Sequence, residues 1–502
     1  MEPRTALILL ITLPLAATPF IYLVGRISLR WGSGNALPAR WLAALTFAAA
    51  WVPLFFAWKH YQSQGNIEIV SGSISLRLDG ISLLLAGVVL ILATLVTIFS
   101  SRYMSGEVSE EKYYALLTAM SGTMIGLGCA NDLFNLWIWF EAMAISSVFL
   151  VAFYRREPGA LEAGVKYLVQ SAVGSALVVL GIALVIAETG TTNLDSIRSQ
   201  VVTSTPLVLA AGALFLVGFG VKAALVPMHT WLPDAHSQAP SGISAMLSGV
   251  VIEAGMIALF RALGCLDSAA TLWGALLLVF GAVNMLVGNL MALRQEQVKR
   301  MLAYSSISHT GYMLLGFGAA LAFNLPESAA GASFHLLTHA MMKGLAFLSV
   351  GALLYALRLS KGDHNPLLVS DLDGAAVKYP FVALTLSIAL LSLGGLPPLA
   401  GFMSKWQIFV GSFASNDPII IGLVIFAALN SVLSLGYYAP LINRLYRNQA
   451  GERISSGSPI NIGMILPLLL LAASLVVLGF IPTLIDNESL AAAKSLLAAF
   501  GK

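Results

Sequence analysis

Long apolar runs separated by short polar connections dominate the chain. A helix needs roughly 20 apolar residues to cross a hydrocarbon core about 30 Å thick, and fourteen runs of about this length or longer follow one another. They lie at residues 5–25, 41–58, 79–100, 113–130, 132–153, 165–187, 206–226, 240–263, 272–293, 301–323, 331–357, 379–414, 418–442 and 462–484. The pattern predicts an all-α polytopic membrane protein with about fourteen transmembrane helices, followed by a short surface helix over residues 487–502.

Two of these runs, the seventh and the twelfth, are interrupted by proline. The seventh carries Lys222 before a break at Pro227, and the twelfth carries Lys405 after a break at Pro398. Proline breaks a helix, and the freed backbone groups must face protein or water. Because the order of lysine and break is mirrored, the pattern indicates inverted repeats with ion sites at the interruptions. We predict two inverted five-helix repeats, formed by spans 4–8 and 9–13.

The predicted repeats divide the chain into four parts, and the distribution of basic residues predicts its orientation in the membrane. Residues 1–112 hold spans 1–3, residues 113–263 and 264–442 form the two repeats, and residues 443–502 hold span 14 and the tail. Connections after odd-numbered spans contain sixteen arginines and lysines, against seven on the opposite side. The positive-inside tendency therefore places both termini outside. We predict an integral protein of a prokaryotic cytoplasmic (inner) membrane.

Composition excludes several other classes of protein. The chain is 58% hydrophobic and 10% charged, whereas soluble chains carry about 25% charged residues. Its net charge of +3 is scattered, so the sequence gives no indication of nucleic-acid binding. Cys129 and Cys265 lie far apart in apolar sequence, which predicts neither a disulfide nor an iron–sulfur site. We expect no cofactor in this chain.

Ionisable residues inside the apolar spans are the candidate functional groups. They are Glu141, Lys222, Glu253, His309, His335, His339, Lys343 and Lys405, with Lys166, His229, Asp234 and His236 as supporting residues. Such residues are costly in hydrocarbon and typically line ion or proton pathways. Burial disfavours the charged form of lysine and of glutamate, so buried groups of both types can exchange protons through water. The pattern predicts a shared internal polar pathway.

Two of these residues and one motif have alternative interpretations. Lys166 and His309 can equally be packed, hydrogen-bonded residues or can reach the headgroups. His335 and His339 have the i, i+4 spacing of metal ligands and share one helical face with Lys343. The motif lacks both the intervening glutamate and a third ligand, so we do not predict a zinc site.

Several motifs resemble a known superfamily. The strings NDLFNLWIWFEAMAISS, VKAALVPMHTWLPDAHSQAPSGISAML, MLAYSSISHTGYMLLG, HLLTHAMMKGLAFLSVG and LGGLPPLAGFMSKW are similar to the antiporter-like subunits shared by respiratory complex I, Mrp-type cation/proton antiporters and membrane-bound hydrogenases. The resemblance implies a fourteen-helix core with charged residues at mid-membrane depth. It further implies that Glu141 pairs with Lys222, that His335, His339 and Lys343 continue the axis, and that Lys405 is its terminal residue.

Glu253 departs from the pattern of the superfamily. Its members commonly place a lysine on span eight, where this chain reads SGVVIEAGMIALFR. A carboxylate between Lys222 and Lys343 attracts a proton or a cation where a lysine would repel it. Either Glu253 still relays protons, or this half of the pathway is altered, and we favour the relay.

Two functions from different classes follow from the resemblance. The first is a proton-translocating subunit of a complex I-like or hydrogenase-type complex, working beside hydrophilic iron–sulfur subunits. The second is a D-type subunit of an Mrp sodium/proton antiporter, which needs no redox partner. The length of the chain, Lys405 and the NDLFNLWIWFE string resemble the Mrp D-type and hydrogenase-type members. Both imply homologous antiporter-like and small membrane subunits, contact with lipid, and protons or sodium as the moving ion.

Overall fold

The computed structural model of the protein describes residues 1–31, 36–361 and 365–502, apart from the side chains of Ser360 and Lys361. Lys361, one of the sixteen basic residues counted above, is thus outside the described side chains. The first half contains these elements: α1 Pro3–Trp31, α2 Leu37–Gln64, β1 Ile67–Ser71, β2 Ile74–Leu78, α3 Gly80–Tyr103, α4 Glu110–Cys129, α5 Leu133–Val151, α6 Pro158–Thr189, α7 Leu194–Gln200, α8 Pro206–Lys222, α9 Trp231–Gln238, α10 Ser241–Met246 and α11 Ile252–Gly264.

The second half is helical throughout its described elements. It contains α12 Ala270–Ala292, α13 Val298–Phe323, α14 Pro326–Lys361, α15 Ala375–Lys378, α16 Pro380–Gly394, α17 Ala400–Phe413, α18 Pro418–Leu445, α19 Glu452–Ser455, α20 Ile462–Phe480 and α21 Asp486–Ala499. Short 3₁₀ turns cover Asp267–Ala269, Val369–Leu372 and Pro482–Leu484, and a π-helical turn covers Leu247–Val251. The predicted all-α membrane fold is confirmed.

The predicted total of fourteen spans stays a prediction. Within the described residues, ten helical segments are long and apolar enough to cross a membrane, and α8 and α16 are shorter apolar helices. Helices α4 and α13 also coincide with predicted spans, but their sequences are more polar, since α4 begins with Glu110 and Glu111 and α13 carries Lys299 and His309.

Both predicted helix breaks are present. Helix α8 ends at Lys222 and the chain continues irregularly to α9, while α16 ends at Gly394 and α17 begins at Ala400. Lys222 is the last residue of its helix and Lys405 lies in the second turn of α17. Each lysine is therefore held next to an interrupted backbone.

Helix α14 lies at the centre of the bundle. It packs against α3, α10, α13, α16, α17, α20 and α21, and His335, His339 and Lys343 are fully buried along it. Helices α12 and α13 also pack closely, because a Cβ on Gly311 would lie 2.6 Å from the carbonyl oxygen of Gly281. Small residues allow such close backbone approach inside a membrane.

The structure adds two elements of local detail to the sequence analysis. Strands β1 and β2 form an antiparallel hairpin in which Ile67 pairs with Leu78, and its turn contains Gly72 at a positive φ of 60°. The C-terminal helix α21 lies near its predicted position, and it packs against α3 and α14 through one buried face that includes Leu496 and Leu497.

A buried ion pair that the sequence analysis missed joins α11 to the start of α3. Arg261 Nη2 lies 3.0 Å from Asp79 Oδ1 and donates to Ser82 Oγ at 2.8 Å. The two charged side chains are only 6% and 7% exposed. Asp79 also caps α3 by accepting a hydrogen bond from the Ser82 amide, so one carboxylate both begins a helix and neutralises a buried arginine.

We expect Arg261→Gln to lower the free energy of unfolding by roughly 3–5 kcal/mol, because it leaves the buried carboxylate of Asp79 without its counter-charge. Reversible denaturation in detergent measures this change. Lys166→Gln is the matched control: it removes a lysine whose side chain is 50% exposed, and because solvent screens its ion pairs, its loss should lower the free energy of unfolding far less. Equal effects of the two substitutions would contradict the prediction.

Candidate functional site

Lys222 is fully buried at the end of α8. Its Nζ donates hydrogen bonds to the hydroxyl of Tyr167 at 2.7 Å and to Ser171 Oγ at 3.4 Å. The ring centroid of Tyr167 lies 4.4 Å from the Nζ atom and stacks 4.0 Å from that of Trp231. The amino group therefore rests on hydroxyl groups and aromatic faces, which can hold it in either protonation state.

Glu141 lies on α5 near Lys222 without pairing with it. The ring centroid of its neighbour Phe140 lies 5.7 Å from Lys222 Nζ, but the hydrogen bonds of Lys222 go to Tyr167 and Ser171. The Glu141 Oε1 atom is buried and has no hydrogen-bond partner among the described residues. The pair implied by the resemblance is therefore open in this structure.

Glu253 and three histidines form a fully buried central cluster between α11, α13 and α14. His339 Nδ1 lies 2.9 Å from Glu253 Oε1, and His309 Nδ1 lies 3.0 Å from His335 Nε2. The rings of His309 and His339 stack with centroids 5.3 Å apart. Of the eight sequence-predicted pathway residues, these four make the most continuous contacts.

The cluster continues toward Lys405 through a hydroxyl group. His335 Nδ1 lies 2.8 Å from Ser404 Oγ, next to Lys405 in the sequence of α17. Lys405 Nζ donates to the carbonyl of Leu393 at 2.8 Å and to Ser431 Oγ at 2.9 Å. Since Leu393 lies at the end of α16, the broken helix supplies a backbone acceptor to the buried lysine, as predicted for the interruption.

Lys343 lies one turn beyond His339 on the same buried face of α14. Its Nζ donates to the carbonyl of Leu302 at 2.9 Å and to Ser305 Oγ. Ser305 in turn forms a hydrogen bond with the hydroxyl of Tyr438. A second polar branch therefore runs from α14 through α13 to α18.

One gap separates Lys222 from the central cluster. The bonds of Lys222 do not reach Glu253, although α11 passes directly beside the lysine. A Cβ on Gly255 would lie 2.9 Å from the Cβ of Lys222, and Glu253 is two residues earlier, just after the π-helical turn at Leu247–Val251. Irregular turns of this kind frequently occur at functional sites.

Open hydrogen-bonding positions remain within the cluster. Glu253 Oε2 and His339 Nε2 are buried and have no partner among the described residues. Unsatisfied buried polar atoms are costly unless a proton or a water molecule completes them. The cluster is therefore chemically suited to accept protons and to transfer them, and Glu253 Oε2 and His339 Nε2 are the atoms at which water would bind.

The structure places Lys166 outside the buried cluster. Its Nζ lies 2.7 Å from Glu162 and 3.0 Å from Asp234, whose other carboxylate oxygen lies 2.6 Å from Arg300. The Lys166 side chain is half exposed. Lys166 and Asp234 thus form a peripheral ion-pair network that ties α6 and α9 to α13.

The two histidines after the first break occupy different environments. His229 is half-buried near the ring of Tyr304. His236 is fully buried and stacks on Phe347 at 4.6 Å, and neither of its ring nitrogens has a hydrogen-bond partner among the described residues. A fully buried imidazole with two open nitrogens is a candidate proton carrier.

Lys299 lies on a helix, although the hydrophobic pattern predicts it in a connection between two spans. Helix α13 begins at Val298, so Lys299 lies in its first turn, where it is 6% exposed and donates to the carbonyl of Ala239. It lines a polar cavity of about 80 Å³ together with Tyr103, Ser237 and Gln238. The apolar residues that follow Lys299 were the signal that could have placed it on the span.

The chain matches two sequence families. The family described as "NADH:quinone oxidoreductase/Mrp antiporter, TM" matches residues 130–431, and "NADH-Ubiquinone oxidoreductase (complex I), chain 5 N-terminus" matches residues 66–114. F(420)H(2) dehydrogenase subunit N of Methanosarcina mazei is 33% identical over 70% of this chain and 71% of its own. NADH-quinone oxidoreductase subunit N of Trichlorobacter lovleyi is 33% identical over 77% of this chain and 78% of its own.

Solved structures share the fold across nearly the whole chain. A chain of the archaeal membrane-bound sulfane sulfur reductase is 27% identical with a TM-score of 0.85 and 99% coverage of both chains. A chain of respiratory complex I from Thermus thermophilus is 26% identical with a TM-score of 0.78, covering 96% of this chain and 99% of that one. A chain of the Mrp complex from Dietzia sp. is 21% identical with a TM-score of 0.86, covering 99% and 98%, and shows the likeness of fold alone. Since the first family match spans more than half of the sequence and the curated relatives agree with it, this chain belongs to the NADH:quinone oxidoreductase/Mrp antiporter family of antiporter-like membrane subunits.

Proposed function

We propose that this chain is the proton-translocating, antiporter-like subunit of a membrane redox complex of the complex I or hydrogenase type. The observation that carries the proposal is the buried cluster Glu253, His339, His309 and His335, which lies between the buried lysines Lys222 and Lys405. Protons occupy Lys222, pass along this cluster and the Lys343 branch, and leave through the half that contains Lys405.

Glu141 controls the affinity of Lys222 for its proton. A carboxylate close to a lysine favours the charged form, and its withdrawal favours proton release. The open arrangement of the two side chains supports a pair that closes and opens during turnover. Two inverted repeats, residues 113–263 and 264–442, then provide one half-pathway each, with Lys222 and Lys405 in corresponding roles.

A second access route reaches the axis through Lys299 and His236. Lys299 lines the polar cavity and donates to the carbonyl of Ala239, which is three residues after the fully buried His236. Because the basic residues around the cavity, including Arg358 and Arg453, belong to the predicted cytoplasmic side, we assign proton uptake to this face.

Lys299→Ala is expected to slow proton translocation on the order of tenfold, because water in the cavity replaces only part of the relay. The initial rate of substrate-driven acidification in membrane vesicles measures the change. Arg294→Ala is the control, since Arg294 is exposed on the same predicted face and lies outside the cavity. An unchanged rate in the Lys299 variant would exclude this route.

The curated relatives favour the redox alternative. Those compared above are subunits N of an F(420)H(2) dehydrogenase and of an NADH-quinone oxidoreductase. We therefore propose as partners homologous antiporter-like subunits, small membrane subunits and hydrophilic iron–sulfur subunits, in a prokaryotic cytoplasmic membrane with both termini outside. The alternative is a D-type subunit of an Mrp sodium/proton antiporter.

Purification from native membranes in mild detergent separates the two functions. Iron–sulfur absorbance and co-purifying hydrophilic redox subunits, identified by mass spectrometry, are the expected result. Recovery of small hydrophobic subunits alone, without a chromophore, together with sodium-dependent proton exchange in vesicles, would overturn the redox assignment and establish the antiporter.

A further inference from the structure

A large groove opens between α1, α4, α5 and α6, next to the polar cavity of Lys299. Its volume is about 880 Å³. Apolar side chains form its wall, among them Pro19, Leu116, Phe149 and Leu161, and Phe149 is 60% exposed. The groove is therefore an apolar recess on the outer surface of the bundle.

Three basic side chains line this groove beside its apolar wall. Lys112 lies in the first turn of α4, and Arg155 and Arg156 lie in the connection from α5 to α6. Within the described part of the chain, none of the three side chains forms a hydrogen bond or an ion pair. Two acidic residues also line the groove: Glu107 is paired with Arg358, which leaves Glu157 as the nearby negative charge. Three cations against one unpaired carboxylate leave an excess of two positive charges.

Several other arginines on this predicted cytoplasmic side have acidic partners. Arg40 pairs with Glu110, Arg444 with Asp373 and Arg453 with Asp371. The three cations of the groove differ from these arginines, because they have no acidic partner among the described residues and lie beside an apolar wall. Unpaired arginines at the end of an apolar groove are suited to a ligand that carries both an anionic group and hydrocarbon.

We propose that this groove binds an anionic phospholipid, with its phosphate at Arg155, Arg156 and Lys112 and an acyl chain along the apolar wall. Guanidinium groups bind phosphate oxygens in a bidentate manner, and the hydrocarbon wall favours a lipid over free phosphate. The three cations lie on the side predicted to be cytoplasmic, where anionic lipids give the membrane a negative surface potential.

Binding of fluorescent phosphatidylglycerol to the purified native complex tests the proposal. With two arginines contributing about 1 kcal/mol each, R155Q/R156Q should weaken binding about 30-fold. The control is R102Q/R294Q, which removes two exposed arginines of the same predicted side that do not line the groove and should leave binding unchanged. Fluorescent phosphatidylcholine should bind at least about tenfold more weakly than phosphatidylglycerol to the wild type.

Three results would overturn the proposal. They are equal affinity for the two lipids, unchanged phosphatidylglycerol affinity in R155Q/R156Q, and displacement of the lipid by millimolar inorganic phosphate, which would indicate a simple anion site. Loss of a partner subunit from R155Q/R156Q complexes with lipid affinity intact would assign the groove to a protein contact instead. R155K/R156K keeps the charge and should retain most of the affinity, which separates loss of charge from misfolding.

Discussion

Replacing Lys222 by alanine is expected to reduce proton translocation by about 100-fold or more, while the protein still assembles. The alanine cannot hold the proton that Lys222 carries, and acid–base groups of this kind contribute about 10²-fold or more to proton transfer. Because Lys222 is buried at the end of α8 against Tyr167 and Ser171, its removal leaves hydroxyl groups that water can satisfy. Dye-monitored acidification of native membrane vesicles on addition of substrate measures the loss.

Lys59→Ala controls for the loss of a lysine as such. Lys59 lies near the end of α2 and its side chain is exposed, so vesicles carrying this variant should acidify at the wild-type rate. Immunodetection of the chain in the membrane confirms that both variants are present in equal amounts. A Lys222→Ala protein that acidifies vesicles normally would refute the role given to this residue.

Glu253→Gln is expected to slow proton translocation by about 10- to 100-fold. The amide has nearly the same shape and can still form a hydrogen bond with His339, which lies 2.9 Å from the Glu253 carboxyl, so the cluster should keep its geometry. It cannot, however, release and rebind a proton at neutral pH. The same vesicle assay applies, with Glu188→Gln as the control because Glu188 is an exposed carboxylate near the end of α6.

The outcome for Glu253 also decides between the two interpretations of the span-eight position. Normal translocation by Glu253→Gln would mean that the carboxylate is not a relay and that His339, His309 and His335 conduct without it. Loss of translocation with intact assembly would show that a carboxyl group performs the step for which other members of the superfamily use a lysine. Glu253 contacts His339 and not a lysine, which favours a loss of translocation in Glu253→Gln.

The sequence was sufficient to predict the broken helices and most of the buried groups. Pro227 and Pro398 mark the interruptions because proline removes a backbone donor, and the lysines beside them are buried as their cost in hydrocarbon requires. The spacing of His335, His339 and Lys343 placed them on one face of one helix. His309, for which a packed role was equally plausible, contacts His335 and so lies in the cluster.

The contacts between helices were beyond the reach of a single sequence. Ser404 contacts His335 from another helix, and Tyr167 contacts Lys222 from α6, but serine and tyrosine are common in apolar spans and carry no distinguishing pattern. Lys299 was misplaced because helix boundaries are the least certain part of a pattern. The ion pair between Arg261 and Asp79 joins residues 182 positions apart, so no local sequence pattern predicts it.

The number of protons moved per electron transferred shows directly whether this chain conducts protons during turnover. It is measured with the purified native complex in vesicles, by following the internal pH and substrate oxidation together, for the wild type and for Lys222→Ala. If this chain carries protons along the buried axis, the variant should transfer electrons with a lower proton-to-electron ratio than the wild type. An identical ratio in both proteins would contradict proton translocation through this subunit.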